Sequence, residues 1–129
     1  MGAASASGAV KFKGKLQQGP KVTFRATATK VIGFSTSVSA LCSSMTTGRH
    51  VGDVRPLAFP TSPLRNGHFK ITLKIPPISL VATATGTVKR TLASGALKVS
   101  YMKSIGTTPT GLIDFATCLA KTTWKAKRA

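Results

Sequence analysis

Acid is what this sequence has least of. Two carboxylate side chains, Asp53 and Asp114, stand against 19 Lys and Arg, for a net charge of +17 over 129 residues. That scarcity argues against chemistry built on paired carboxylates. A glycosidase needs an acid and a base or nucleophile flanking one bond, and Asp53 and Asp114 are better suited to a turn or a salt bridge. His50 and His68 lie in or beside loops, and no acid sits at a spacing that suggests a triad. Cys42, Cys118, His50 and His68 contain no close-spaced pair of the kind zinc sites use. The glycine-bearing stretch "GTVKRTLASG" lacks the phosphate-loop pattern. The residues call for no catalytic centre, no metal and no cofactor.

Long apolar runs are also missing. None approaches the roughly 20 residues of a membrane span, and no hydrophobic signal core is visible in the given sequence. The start, "MGAASASGAV", reads either as a mature N-terminus just past a small-residue cleavage site or as a flexible tail. Residues 1–8 are expected to form a flexible arm. Aromatics are few, at 6%, but 42% of the residues are hydrophobic, too many for a disordered chain. Residues 9–129 are therefore expected to fold as one domain.

No stretch repeats with the 3.6 period of a helix. Small and β-branched residues dominate, and alternation by twos recurs instead. In "AVKFKGKL", Val10, Phe12 and Leu16 oppose Lys11, Lys13 and Lys15. In "KVTFRATA", Val22, Phe24 and Ala26 oppose Thr23, Arg25 and Thr27. In "VIGFSTSVSALC", Ile32, Phe34, Val38, Ala40 and Cys42 share a face. The segment from Ser43 to Gly67 reads as loop-rich, with at most a short strand around Leu57 to Phe59. "RNG" is a turn signal that launches "HFKITLKI", and Pro76-Pro77 ends it. "ISLVATATGTV", a turn near "ASG", and "ALKVSYM" follow. The loop "GTTPTG" precedes "LIDFATC" and "TTWKAKR", where Thr122, Trp124 and Ala126 take the inward phase. Eight or nine short strands with turns between them indicate an all-β fold, an antiparallel sandwich or a small barrel.

Cys42 closes an inward-phase strand and Cys118 precedes the Trp strand. Both a disulfide and two buried thiols suit such positions; an even count in a secreted chain suggests the bridge. An immunoglobulin domain sets its Trp between the two cysteines. Here Trp124 follows the second and is expected to anchor the last strand in the core.

The charge is the remaining signal. Lys11, Lys13, Lys15, Arg25, Lys70, Lys74, Lys98, Lys121, Lys125 and Lys127 all fall in outward phase. Such a surface attracts polyanions: nucleic acid, anionic cell-wall polymers or acidic membranes. A solubilising role explains it less well, since acids serve solubility at least as effectively. No aromatic alternates with these cations, as base-stacking single-strand binders require. Binding is therefore expected to be sequence-independent and directed at a polyanion backbone. Lys11, Lys13, Lys15, Lys121, Lys125 and Lys127 lie on the first and last strands. They act together if those strands share an outer face.

The ordered segments "FKGKLQQGPKVTFRATATKVIGF", "LC", "SPLRNGHFKITL", "VATATGTVKRTLASGALKVS" and "TCLAKTTWKAKRA" resemble a family of small secreted actinobacterial β-sandwich domains. The match spans about residues 10–128 and is carried by the order and spacing of short motifs. These are the N-G-x-F turn, the A-S-G hairpin, the two cysteines and the closing W-x-A-x-R. Gln17 and Gln18 depart from the family's T-S-Q, and Ala96 replaces its Thr after A-S-G. The resemblance implies export, a β-sandwich and a disulfide between Cys42 and Cys118; it implies no catalytic activity. The expectation is a secreted, non-catalytic domain that binds a cell-wall polymer or nucleic acid. The alternative is a structural assembly protein, such as a phage coat, decoration or filament subunit, contacting nucleic acid or its neighbours.

Overall fold

The computed structural model describes residues 8–129. The arm expected over residues 1–8 lies, apart from Gly8, outside the described residues. Nine strands follow one another: β1 Val10–Leu16, β2 Lys21–Ala26, β3 Lys30–Ser44, β4 His50–Ala58, β5 Ser62–Pro63, β6 His68–Ile75, β7 Leu80–Val88, β8 Leu92–Thr107 and β9 Ile113–Arg128. The only helical element among the described residues is a 3-10 turn at Pro76–Ile78, where the two prolines end β6. No helix among them is long and apolar enough to cross a membrane.

Every pairing is antiparallel, and the strands run in the order β4-β3-β2-β1-β9-β8-β7-β6, with β5 added to β3. A further pairing joins β3 to β9 through Leu41–Leu119, Cys42–Cys118, Ser43–Thr117 and Ser44–Ala116. The pairings β3–β2, β2–β1, β1–β9 and β9–β3 thus make a closed circuit, a small barrel at the centre of one continuous sheet. The β1–β2 hairpin fills the space where the long β3 and β9 splay apart, and the Cys42–Cys118 disulfide ties them where they meet.

The core is aromatic despite the low aromatic content. Phe24 lies within 5.1–6.4 Å, ring centre to ring centre, of Phe12, Phe34, Phe69 and Trp124. Trp124 is 1% exposed and sits in the inward phase between Lys125 and its polar neighbours, as the alternation indicates. Its place is made by two glycines. Across β7, β8 and β9 the register runs Gly86–Gly95–Trp124. A Cβ on Gly86 would collide with Trp124 Cζ2 and lie 2.7 Å from Phe69 Cε1. The indole therefore packs onto bare backbone and donates its N–H to the Thr85 carbonyl at 3.2 Å.

Several local expectations are corrected. Three strands are long: β3 has 15 residues, and β8 and β9 have 16 each. "ASG" is no turn, because Ala93, Ser94 and Gly95 lie inside β8 and the turn falls at 89–91. The inward residue at the start of β3 is Val31, not Ile32. Gly33 takes φ of 66° and the β2 register shifts there, so the alternation slips by one residue. The loop-rich segment holds a nine-residue strand, β4, paired with β3 from Ser35 to Ser43. The Asn66-Gly67 turn forms as expected, both residues at positive φ.

Candidate functional site: a cationic outer face

All ten cations assigned to the outward phase, Lys11, Lys13, Lys15, Arg25, Lys70, Lys74, Lys98, Lys121, Lys125 and Lys127, are exposed. Strand pairing decides which of them meet. β1 and β9 are neighbours, so the first and last strands do share an outer face. Lys13 stands opposite Lys127 and Lys15 opposite Lys125, a compact block of four. Lys11 stands opposite Arg25, and Lys98 opposite Lys121. Lys70 and Lys74 lie on β6, separated from β8 by β7, and are not part of the block.

Lys21 completes the arrangement. It opens β2 and pairs with Lys15, so Lys21, Lys15 and Lys125 form a row across three strands. Its outward phase was legible in the alternation Lys21, Thr23, Arg25. A groove of about 450 Å³ runs beside the block, lined by Lys13, Lys89, Lys125 and Lys127 with Thr87 and Leu92 at its wall. Lys89 comes from the β7–β8 turn, whose position depended on the corrected hairpin.

Like charges directly opposite on neighbouring strands are destabilising. The pairs Lys13–Lys127, Lys15–Lys125, Lys15–Lys21, Lys11–Arg25 and Lys98–Lys121 each carry that cost, about a few tenths of a kcal/mol at exposed positions. No carboxylate side chain relieves them, because both acids are occupied elsewhere. Asp114 is 3% exposed and accepts hydrogen bonds from Ser44 Oγ at 2.6 Å and Thr46 Oγ1 at 3.1 Å. Ser44 Oγ in turn accepts from the backbone N–H of Thr46 and Thr47, so Asp114 fixes the β3–β4 turn.

Asp53 is half-buried on β4. It accepts a hydrogen bond from the Tyr101 hydroxyl and another from Lys103 Nζ at 2.6 Å, with Arg55 Nη2 at 3.7 Å. Burial works against its charge, but the hydrogen bonds from Lys103 and Tyr101 and the nearby cations outweigh it and hold its carboxyl below the usual range. Burial, and then the Asp53 carboxylate, push the Tyr101 phenol up to about 12. The Arg55 guanidinium lies 4.9 Å over the Tyr101 ring. Asp53, Tyr101, Lys103 and Arg55 thus form a structural cluster that joins β4 to β8, in which Arg55 Nε is buried without a hydrogen-bond partner.

The histidines are engaged in surface contacts: His50 Nδ1 meets Ser43 Oγ at 2.9 Å, and His68 Nδ1 meets Thr87 Oγ1 at 3.1 Å. Among the described residues no three His, Cys, Asp or Glu side chains gather as metal ligands. Comparisons with protein-family models, curated proteins and solved structures found no match to the chain.

Proposed function

We propose that this is a secreted, non-catalytic binding domain whose outer cationic face holds polyanions, a cell-wall polymer or nucleic acid, without regard to sequence. The observation that carries the reading is the set of five cross-strand like-charge pairs with no acid among them. The fold bears their repulsion, and a bound polyanion turns that cost into affinity by releasing its counterions. The groove beside Lys13, Lys125 and Lys127 gives the anionic chain a track. The aromatic rings beneath the cationic block are packed in the core, and the exposed Phe115 lies on the far half of β9, which leaves backbone charge as the feature recognised at the block. The disulfide suits an oxidising compartment and supports export, as does the resemblance to secreted actinobacterial domains.

The test is the salt dependence of binding to a short duplex DNA. If about five cations neutralise phosphates, the slope of log K against log salt is roughly −4 to −5. Changing Lys13, Lys15, Lys125 and Lys127 together to Gln should flatten it by about 3 to 4 units with the fold intact. An unchanged slope in the folded variant places the binding face elsewhere, and no binding by the parent at low salt rejects the reading.

A structural assembly subunit is the second reading. It is favoured by the two strands that end the sheet order, β4 and β6, whose outer edges could accept further strands. A large symmetric particle on size exclusion would select it, and a monomer the binding domain.

A further inference from the structure

The outer face of β9 changes character halfway along. Toward its C-terminal end it carries Lys121, Lys125 and Lys127. Toward its N-terminal end it carries Ile113, Phe115 and Leu119, which are 57%, 44% and 58% exposed. The apolar half continues onto neighbouring strands. Leu119 stands opposite Leu41, which is 57% exposed, and through Ser100 it lines up with Val81, which is 44% exposed. Met45 is 62% exposed, and its N–H bonds to the Phe115 carbonyl at 2.9 Å. From Ile113 to Leu119 the strip runs about 20 Å at the rise of an extended strand.

We infer that this strip docks on the surface of an anionic lipid bilayer, with its apolar side chains entering the acyl boundary and the adjoining lysines at the headgroups. Thr117, with Ser43 opposite it, interrupts the strip between Phe115 and Leu119, but clustered exposed apolar side chains on the outside of a sheet still mark an interaction surface. The chemistry at its border selects the partner. Lys74 stands opposite Val81, and the Lys98–Lys121 pair lies one step along the strands from Ser100 and Leu119. A depression of about 760 Å³ joins these two chemistries, lined by Lys70, Lys98 and Lys121 on one side and Val81 and Leu119 on the other. Apolar insertion beside clustered cations is what an anionic membrane surface rewards. A second copy of this chain would bring another +17 against the same border, and a nucleic acid would leave the leucines idle. The inference stands apart from the polyanion reading, because the four-lysine block lies on the other half of β9.

The experiment is cosedimentation with vesicles of equal parts phosphatidylglycerol and phosphatidylcholine, with pure phosphatidylcholine as control. The parent should bind the anionic vesicles and leave the neutral ones largely unbound. The variant L41S/F115S/L119S should weaken vesicle binding roughly 100-fold while its affinity for duplex DNA stays at the parent value. If the triple variant fails to fold, Leu119→Ser alone should weaken vesicle binding about fivefold. Equal vesicle binding by parent and folded variant overturns the inference, as does absence of parent binding. A parent dimer that the variant converts to monomer also overturns it and assigns the strip to a second copy. Absence of DNA binding by the parent, with its binding to anionic vesicles retained and lost in the variant, would instead strike the polyanion reading.

Discussion

Lys15 stands between Lys21 on β2 and Lys125 on β9, with no carboxylate side chain nearby to relieve either contact. Replacing it by Glu converts two like-charge pairs into two opposite-charge pairs in one step. Each directly opposite pair is worth roughly 0.2–1 kcal/mol in either sign, with exposed pairs at the low end. Removing two repulsions and adding two attractions should therefore stabilise the fold by about 1 kcal/mol at low salt. For a domain of this size that raises Tm by about 3–5 °C. Lys15→Gln removes only the repulsions and should give about half the gain. The difference should fade as salt is added, because these side chains are in water and a Debye length falls to about 3 Å at 1 M. The assay is thermal unfolding in dilute buffer and again in molar salt, beside duplex DNA binding. Both variants should bind DNA more weakly than the parent. A Lys15→Glu protein no more stable than the parent at low salt would refute the claim that the cationic rows carry an electrostatic cost.

Three further outcomes follow from the interior. Replacing both Cys42 and Cys118 by Ala removes a bridge of sequence separation 76 and should cost about 4–5 kcal/mol by the chain-entropy account, read as a lower urea midpoint; a loss under about 1 kcal/mol would contradict the role of the bridge in closing the barrel. Tyr101 is the only tyrosine of the chain, so ultraviolet absorbance should titrate with a midpoint about 12 in the folded protein and about 10 in urea. Because the folded value is the higher one, this contribution is full below about pH 10 and is lost as pH rises through about 12; a folded-state midpoint near the unfolded one would contradict the burial of the phenol and its hydrogen bond to Asp53. Gly86→Ala should destabilise by about 1–3 kcal/mol and shift Trp124 fluorescence, whereas Gly52→Ala, where a Cβ meets nothing within 4 Å, should stay within about 0.5 kcal/mol of the parent.

The alternation of apolar and cationic residues made β1, β2, β6 and the second half of β9 legible, since each strand has one face in the aromatic core and one in water. The block of Lys13, Lys15, Lys125 and Lys127 was legible as far as phase. Its assembly needed the β1–β9 pairing, which joins the two ends of the chain and leaves no local trace. The misread elements are those where alternation fails for a physical reason. β4 puts Asp53 and Arg55 inward, and their partners Tyr101 and Lys103 lie on a distant strand, so the pattern looks like loop. Gly95 suggested a turn, yet it serves the close approach of β7 beneath Trp124. Gly33 slips the phase of β3 within a run that otherwise looked regular. The Leu41–Leu119 strip escaped notice because each residue alone is unremarkable in a strand, and only the β3–β9 seam sets them side by side.

The central claim is that the β1–β9 face is where polyanions bind, and lysine protection reads it residue by residue. The folded protein is acetylated briefly with and without saturating duplex DNA, and each lysine's modification is quantified by mass spectrometry. Lys13, Lys15, Lys125 and Lys127 should be shielded most, with Lys21 and Lys89 following, while Lys30 and Lys74 react as in the free protein. Shielding centred on Lys30 or Lys74 with the four-lysine block unchanged, or no shielding at any lysine, would contradict the account.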